Sequence, residues 1–271
     1  MKKLVSIVIP IYKEFPNQEE LFSLKQCIKI LSEYDITVIT HKQVNLKAYR
    51  ILDTLKYEFF DYKYFIDIKS YNKLMLSLEF YERFNNYKYI LIYQLDCFVF
   101  KDELAYWCEQ DYDYIGAPWL RDSWSVKLYF YTFWNRFKKI SKINFSLPLF
   151  INKTIGNGGL SLRKVDTFIY ILKKSNQKHR YLKYIKSNST NNHSEMYNED
   201  VFWAFESIKF YSDFSKPKFK VAVFFAVDSE PNMAFKYLNG KLPFACHGWS
   251  KAANINFWRE IIKFEKQIEK L

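Results

Sequence analysis

The feature that most constrains the fold is an apolar run, YILIYQLD, which covers residues 89–96 with no charged residue before its end. Such a run is typical of a central strand that is covered on both faces of a sheet. Ligands of open α/β sheets bind at the carboxyl ends of the strands, so Asp96 lies where a site is expected. Taken alone, an Asp at this position more commonly just ends a strand or begins a turn.

The pattern around this run predicts one α/β domain. The first half alternates strand and helix signals, which favours a mainly parallel central sheet flanked by helices. Strands are predicted at residues 4–9, 36–40, 64–68 and 89–96, and helices at residues 19–34, 46–57 and 71–84. The second half is irregular, with a basic-aromatic segment at 124–145, a glycine-rich loop at 156–163, a polar loop at 175–197 and helices at 198–210 and 256–271.

Composition excludes several classes of protein. The four cysteines are widely spaced without a CxxC pair, which argues against zinc ribbons and disulfide frameworks. No stretch of about 18 apolar residues exists, so no membrane-spanning helix is predicted. Two lysines before the first apolar run imitate a signal peptide, but Ser6 and Pro10 interrupt that run, which we interpret as a buried strand. The net charge of +12 favours phosphate-bearing partners or simply a lysine-rich solvated surface.

Three patterns in the second half place chemically active residues in order along the chain. Gly156-Asn-Gly-Gly159 holds three of the six glycines, which indicates a positive φ, a close approach to a ligand, or a simple turn. Glu199 and Asp200 begin a predicted helix, where acidic residues either cap the helix or direct a carboxylate at a cleft. His247 is a credible metal ligand if an Asp-bound cation lies near it, although a lone His is more often structural.

The ordered set resembles GT-A glycosyltransferases. A strand that ends in an acidic metal motif, a GxGG loop, a Glu-Asp pair and a late His follow in an order similar to that of the Fringe-type β1,3-glycosyltransferases. The segments YILIYQLDCFVF, IGAPW, GNGGLSLRK, NEDVFW and PFACHGW resemble a bacterial glycosyltransferase family catalogued as domain of unknown function 5672. This family resemblance spans about residues 5–249, and the opening VSIVIPIYKE is similar to the first strand of the large inverting GT-A family.

The resemblance implies a role for each matching residue. Asp96 matches the last Asp of the DxD motif, which holds a divalent metal on the donor diphosphate, and His247 matches the late His that completes the metal site. Asp200 matches the carboxylate that acts as general base on the acceptor hydroxyl. Direct displacement with this base gives inversion at the anomeric carbon, while a retaining mechanism stays open. Glu199 beside Asp200 orients the acceptor or the helix. The loop residues that let donor and acceptor approach the backbone are Gly158 and Gly159.

One position departs from the family pattern. The first Asp of DxD is Gln94 here, so the motif reads QLD. Gln94 offers a neutral oxygen ligand or a hydrogen bond to the ribose, whereas Mg²⁺ and Mn²⁺ prefer anionic oxygen. We therefore expect a Mn²⁺ or Mg²⁺ site that is weaker or depends mostly on the diphosphate, and the requirement for metal stays open.

Departure of a nucleoside diphosphate also calls for fixed positive charge. The candidates near the motifs, among which the sequence does not choose, are Arg121, Arg163, Lys164 and Lys251; of these, Arg163 is assigned to donor binding. The aromatic residues that either stack on base and sugar rings or pack in the core are Trp119, Trp203 and Trp249.

These inferences predict a GT-A glycosyltransferase that moves a sugar from a nucleotide-sugar, preferably a UDP-sugar, to a glycan or lipid-linked acceptor in surface polysaccharide or lipopolysaccharide synthesis. Residues 1–118 are expected to bind the donor, and residues 119–271 to hold the acceptor and the catalytic groups. The segment 124–145 is an anchor, an acceptor lid or a packed helix; we favour peripheral contact with an anionic membrane at its cytoplasmic face.

Two other functions stay open. A nucleotidyltransferase usually needs a glycine-rich basic loop after the first strand, where residues 10–16 contain no glycine. A non-catalytic nucleic-acid-binding protein fits the charge and the aromatic content, but no recognised motif supports it and the basic residues are scattered, so we expect no nucleic-acid partner.

Overall fold

The computed structural model describes residues 2–49, 55–120, 154–176 and 198–268. The strands in this part of the chain are β1 (Lys3–Pro10), β2 (Asp35–Thr40), β3 (Lys56–Phe59), β4 (Tyr87–Tyr93), β5 (Phe98–Val99), β6 (Tyr114–Gly116), β7 (Leu160–Lys164), β8 (Ala226–Val227) and β9 (Ala245–Cys246). The helices are α1 (Gln18–Ile30), α2 (Ile68–Met75), α3 (Leu78–Arg83), α4 (Leu104–Glu109), α5 (Val165–Asn176), α6 (Glu199–Val201), α7 (Phe219–Phe225), α8 (Pro231–Leu238) and α9 (Ile255–Ile268).

The central sheet has six strands in the order β3-β2-β1-β4-β7-β6. The first four strands are mutually parallel, and β7 runs antiparallel to both of its neighbours. Successive side chains of a strand point to opposite faces. Ile7 and Leu91 accordingly enter one core and Val8 and Ile92 another, so both faces of the sheet are covered. This explains the apolar run of β4 and confirms the predicted α/β architecture with a mainly parallel sheet.

A second, smaller sheet has the order β5-β9-β8. Each of its strands has two residues, and it packs in a third apolar cluster with α8 and α9 that includes Phe98, Cys246, Trp249 and Trp258. No helix in the described ranges is long and apolar enough to cross a membrane.

Two predictions in the first half are wrong. The third parallel strand is Lys56–Phe59, whereas residues 64–68 run from the end of a short 3₁₀ turn to the first residue of α2. Asp61 and Asp67 account for this, because their side chains accept hydrogen bonds from the backbone N–H groups of Lys63 and Ser70 and so favour turns and a helix start over a strand.

The predicted helix at 46–57 is wrong at both of its described ends, because residues 46–49 form a turn and residues 56–57 belong to β3; residues 50–54 lie outside the described residues. β3 lies at the edge of the sheet, where a strand tolerates the charged residues that obscured it. The predicted helix at 71–84 is two helices, α2 and α3, divided at Ser77, whose hydroxyl caps α3.

The remaining helix predictions are confirmed. Helical turns run through Glu199–Lys209, with a π-helical turn in the middle, and α9 matches the predicted terminal helix as far as Ile268. The segment 124–145, Arg121 and nearly all of the polar loop at 175–197 lie outside the described residues.

Candidate active site

The small sheet brings three polar residues together beside the end of β4. β8 and β9 are parallel, with Val227 opposite Cys246, so the next residues, Asp228 and His247, emerge side by side. β5 runs antiparallel to β9, so the segment after β9 lies beside the segment before β5. The backbone N–H of Trp249 accordingly donates to the carbonyl oxygen of Asp96, at 3.3 Å. Asp96 and Asp228 therefore face the same histidine from two directions.

His247 bridges these two carboxylates. Its Nδ1 is 2.7 Å from Oδ1 of Asp228, and its Nε2 is 3.1 Å from Oδ1 of Asp96 and 3.4 Å from Oε1 of Gln94. We call Asp96, Asp228, His247 and Lys251 the histidine cluster. The structure thus brings Gln94, Asp96 and His247 together as the sequence led us to expect.

The charges of the histidine cluster shift the pKa values of its members. Burial lowers the pKa of His247, but hydrogen bonds to Asp228 and Asp96 outweigh that effect and raise the pKa to about 9. Burial likewise raises the pKa of Asp96 and Asp228, but the hydrogen bonds to His247 outweigh it and hold both below their ordinary value. The two carboxylates therefore stabilise the protonated form of His247.

Among the described candidates for fixed positive charge, Lys251 is the residue that lies at this cluster. Its Nζ is 3.6 Å from Oδ2 of Asp96 and 4.0 Å from Oδ1 of Asp228, and about half of its side chain is exposed. Gly248 has a φ of +62°, and a Cβ on it would lie 2.8 Å from Nζ of Lys251. A glycine at 248 is therefore favoured by the backbone turn, whereas the flexible lysine could move away from a Cβ.

The glycine loop separates the histidine cluster from a second charged group. A Cβ on Gly159 would overlap Nε2 of His247, and one on Gly158 would overlap Oε1 of Glu199. Side chains of the protein itself therefore occupy the space beside these two glycines, and the role predicted for them toward donor and acceptor stays a prediction. Asn157 in the same loop accepts from the backbone N–H of Leu160 and is 3.1 Å, through Nδ2, from Nδ1 of His247.

The second group, which we call the arginine cluster, consists of Arg163, Glu199, Tyr81 and Ser161. Nη2 of Arg163 is 2.9 Å from Oε1 of Glu199, while Nη1 donates to the hydroxyl of Tyr81 and Nε to that of Ser161. Nη2 also donates to the carbonyl oxygen of Gly158. The side chains of Arg163 and Glu199 are 0% and 3% exposed.

This burial corrects the donor-binding role predicted for Arg163. All three of its side-chain nitrogens are bonded inside the protein, and its side chain is fully buried. Arg163 instead fixes Glu199 behind the site. Glu199 is thereby placed to orient α6, and its Oε2 has no hydrogen-bond partner among the described residues.

Asp200 follows Glu199 in α6 and keeps a different environment. It is partly buried, and its Oδ1 accepts from the backbone N–H of Val201 at 2.8 Å. Burial and the nearby charge of Glu199 raise the pKa of Asp200 to about 7, with a smaller contribution from Asp228. A carboxyl group with a pKa near the working pH is suited to general-base catalysis.

The three candidate tryptophans occupy different places. Trp203 is fully buried against Phe168, and Trp249 is buried with its ring against Phe98. Trp119 is partly exposed, and a Cβ on Gly156 would meet its ring at 2.5 Å. Lys164 is also remote from the histidine cluster, because its ammonium pairs with Asp111.

The residues present fit a divalent cation. Oxygen atoms of Asp96 and Gln94 lie 3.1 and 3.4 Å from Nε2 of His247, and the carboxylate of Asp228 lies behind the histidine ring, as is usual for metal-binding histidines. The thiol of Cys97 also lies within 4.8 Å of ligand atoms of Asp96 and His247. Burial raises the pKa of this thiol well above the ordinary value and it donates to the carbonyl of Gly159, so it is a poor ligand.

Asp228 is the residue that sequence reasoning missed. It directly follows the apolar stretch VAVFFAV at 221–227, just as Asp96 comes at the end of its own apolar run. The criterion that identified Asp96, an Asp at the end of an apolar run, would therefore also have identified Asp228. Its apolar stretch, however, forms a helix and a two-residue strand rather than one long strand.

Comparison with known proteins agrees with this architecture. Mouse xyloside xylosyltransferase 1, in its apo form, is similar with a TM-score of 0.51 and 12% identity, over 92% of this chain and 98% of that one. The glycosyltransferase GlyE of Streptococcus pneumoniae TIGR4 and the bifunctional glycosyltransferase WbbM follow at TM-scores of 0.46 and 0.47, each with 14% identity. They match over 93% and 91% of this chain, which spans 56% and 46% of their own lengths.

At the level of sequence, no curated protein matches the chain. The family model described as "Protein of unknown function (DUF5672)" matches residues 54–247, which include Gln94, Asp96, Glu199, Asp200 and His247. The chain therefore belongs to the DUF5672 family, and its fold is that of the GT-A glycosyltransferases.

Proposed function

We propose that the protein is a glycosyltransferase that moves a sugar from a nucleotide-sugar donor to an acceptor hydroxyl. The observation that carries the proposal is the histidine cluster, which joins Asp96, His247 and Lys251 beside the carboxyl end of β4 in a GT-A fold. Ligands of open α/β sheets bind at this edge. The donor diphosphate is expected there, with the sugar directed toward Asp200.

The diphosphate is the leaving group and gains negative charge as its bond to the sugar breaks. Asp96 and His247, with Gln94 as a neutral third donor, are the residues that would hold a divalent cation there. Such a cation neutralises charge on the leaving diphosphate. The ammonium of Lys251 is half exposed beside Asp96, from where it is free to turn to a phosphate oxygen.

Asp200 is assigned the role of general base. It accepts the proton of the acceptor hydroxyl as that oxygen forms a bond to the anomeric carbon and the bond from that carbon to the diphosphate breaks. Direct displacement of this kind inverts the configuration at the anomeric carbon. A pKa near 7 leaves a large fraction of Asp200 ionised at neutral pH while keeping it basic enough to take the proton.

The finer features of the proposal come from the sequence. Residues 1–118 bind the donor, for which UDP-sugars are the first choice, and residues 119–271 hold a glycan or lipid-linked acceptor used in surface polysaccharide or lipopolysaccharide synthesis. Mn²⁺ or Mg²⁺ is the proposed cofactor. The site of action is the cytoplasmic face of a membrane, with peripheral contact to anionic lipid.

A panel of nucleotide-sugars, each added with Mn²⁺ or with EDTA, tests the function by thermal shift. A ligand that binds the folded protein raises its melting temperature by mass action. We expect one donor to give a Mn²⁺-dependent shift and then to release its nucleoside diphosphate when acceptors are added. If no nucleotide-sugar shifts the melting temperature in either condition, the proposal fails.

A further inference from the structure

We propose that Asp228 is a positioning residue that selects the ring tautomer of His247 in which Nε2 is free to bind a cation. The proposal rests on the function proposed above, since it concerns the cation that serves the donor diphosphate. Asp228 contacts Nδ1 of His247, on the opposite side of the ring from Asp96. Asp228 therefore acts through the histidine that would bind the cation and takes no direct part in the reaction.

The backbone holds Asp228 in register with His247. The N–H of His247 donates to the carbonyl oxygen of Val227 at 2.9 Å, as part of the parallel pairing of β8 and β9. Asn254, which is buried, donates through Nδ2 to the carbonyl oxygens of both Asp228 and Gly248, at 2.9 and 3.3 Å. These bonds fix the two peptide segments that carry the carboxylate and the imidazole.

Two side chains compete for Nδ1 of His247, and they require opposite tautomers. Oδ1 of Asp228, at 2.7 Å, is an acceptor and needs a proton on Nδ1. Nδ2 of Asn157, at 3.1 Å, is a donor and needs a lone pair there. Asn157 is held in this orientation because its Oδ1 accepts from the backbone N–H of Leu160 at 2.9 Å.

The carboxylate prevails because it is nearer and charged, and hydrogen bonds to charged groups are shorter and stronger than neutral ones. When His247 is neutral, its single proton therefore lies on Nδ1. The lone pair of Nε2 then faces Oδ1 of Asp96 and Oε1 of Gln94, where a cation would share the three donors. Asn157 alone would instead favour a proton on Nε2, which blocks that position.

Replacement of Asp228 by Asn tests this assignment with little change of shape. An amide in place of the carboxylate donates to Nδ1 and stabilises the wrong tautomer, as is known for histidines oriented by a carboxylate in catalytic triads. We expect the affinity for Mn²⁺, titrated calorimetrically with and without UDP, to fall about 10–100-fold in Asp228→Asn. An affinity equal to that of the wild type would overturn the proposal, as would the absence of Mn²⁺ binding by the wild type in both conditions.

Asp113→Asn is the matched control. Asp113 is buried, whereas Asp228 is partly buried, and Asp113 accepts from Thr167 and Ser215 away from the histidine cluster. We expect Asp113→Asn to reduce stability while leaving the affinity for Mn²⁺ unchanged. If both variants lose Mn²⁺ affinity to the same extent, Asp228 has only a structural role and the proposal is wrong.

The wild type offers a test that does not depend on the folding of a variant. In ¹⁵N-labelled protein saturated with Zn²⁺, long-range proton–nitrogen correlations report which ring nitrogen of His247 carries the proton. We expect the proton on Nδ1, and a proton on Nε2 would overturn the assignment. Both measurements use the metal rather than the nucleotide-sugar, so the failure of donor binding in the panel above would remove the proposed function without removing this result.

Discussion

The histidine cluster and the arginine cluster lie on either side of two adjacent glycines, and both hold buried charge, but they differ in how that charge is satisfied. Gly159 lies against His247 and Gly158 against Glu199. In the arginine cluster every side-chain nitrogen of Arg163 has a partner and the ion pair is sealed from solvent. In the histidine cluster two carboxylates share one imidazole, and Asp96 is 29% exposed.

We interpret the buried charge of the arginine cluster as structural and the charge of the histidine cluster as able to bind a ligand. A sealed ion pair presents no charge to solvent, and the removal of one member leaves the other charge buried without its partner. An exposed carboxylate that shares an imidazole, with a lysine beside it, still attracts a cation or a phosphate from solution. We therefore expect substitutions in the arginine cluster to act on folding and those in the histidine cluster to act on binding.

Arg163→Met is expected to have the largest effect on stability. It leaves the carboxylate of Glu199 buried without its partner, a change that costs about 3–5 kcal/mol in comparable buried pairs. Urea unfolding measures the loss. The control is Arg83→Met, whose half-exposed ion pair with Glu58 should contribute less than about 1 kcal/mol. Equal small losses in both variants would show that the arginine cluster is not a structural element.

Asp200→Asn is expected to have the largest effect on activity. Loss of a general base reduces turnover about 10²–10⁴-fold, while the donor, which contacts the histidine cluster, should bind nearly as in the wild type. Turnover numbers and calorimetric donor affinity separate the two effects. Wild-type turnover in this variant would remove the assignment of the base.

Lys251→Gln should weaken donor binding about 10-fold, because it removes a charge-assisted contact with the diphosphate. The difference from the wild type should shrink as salt screens the half-exposed ammonium. Lys164→Gln is the matched control, since its ammonium pairs with Asp111 away from the site. The same loss in both variants would place Lys251 among the nonspecific surface charges.

The pH dependence of kcat/KM should report the pKa of Asp200. Burial and Glu199 raise that pKa to about 7, and the base works only when deprotonated, so the rate should rise with pH through about 7 and level off above it. The rise should be absent from the residual activity of Asp200→Asn. A wild-type profile that is already flat between pH 5 and 8 would contradict the role of this carboxyl.

The large sheet could be predicted from the sequence because both of its faces are buried. The run of β4 alternates between two apolar cores, so it shows as an unbroken hydrophobic stretch with Asp96 just beyond it. β3 was missed because an edge strand of the sequence Lys-Tyr-Glu-Phe lacks that pattern. The small sheet has two-residue strands, which carry no periodicity, so the placement of Asp228 beside His247 was not predictable.

The arginine cluster shows a second limit. Arg163 lies beside a glycine-rich motif in the sequence, and an arginine at such a position indicates a phosphate ligand. Its burial follows from β7, which is covered on both faces, and from Tyr81 and Glu199, which lie 82 and 36 residues away in sequence. Long-range pairing of this kind is a property of the folded chain and leaves no local pattern.

A calorimetric titration of UDP into the wild type and into Asp96→Ala, each with Mn²⁺ and with EDTA, tests the account most directly. We expect the wild type to bind UDP more tightly with Mn²⁺ than with EDTA. Asp96→Ala should lose that difference, because it removes the anionic oxygen beside Nε2 of His247. Equal affinity of the two proteins for UDP in the presence of Mn²⁺ would contradict the assignment of the histidine cluster as the cation site of a nucleotide-sugar donor.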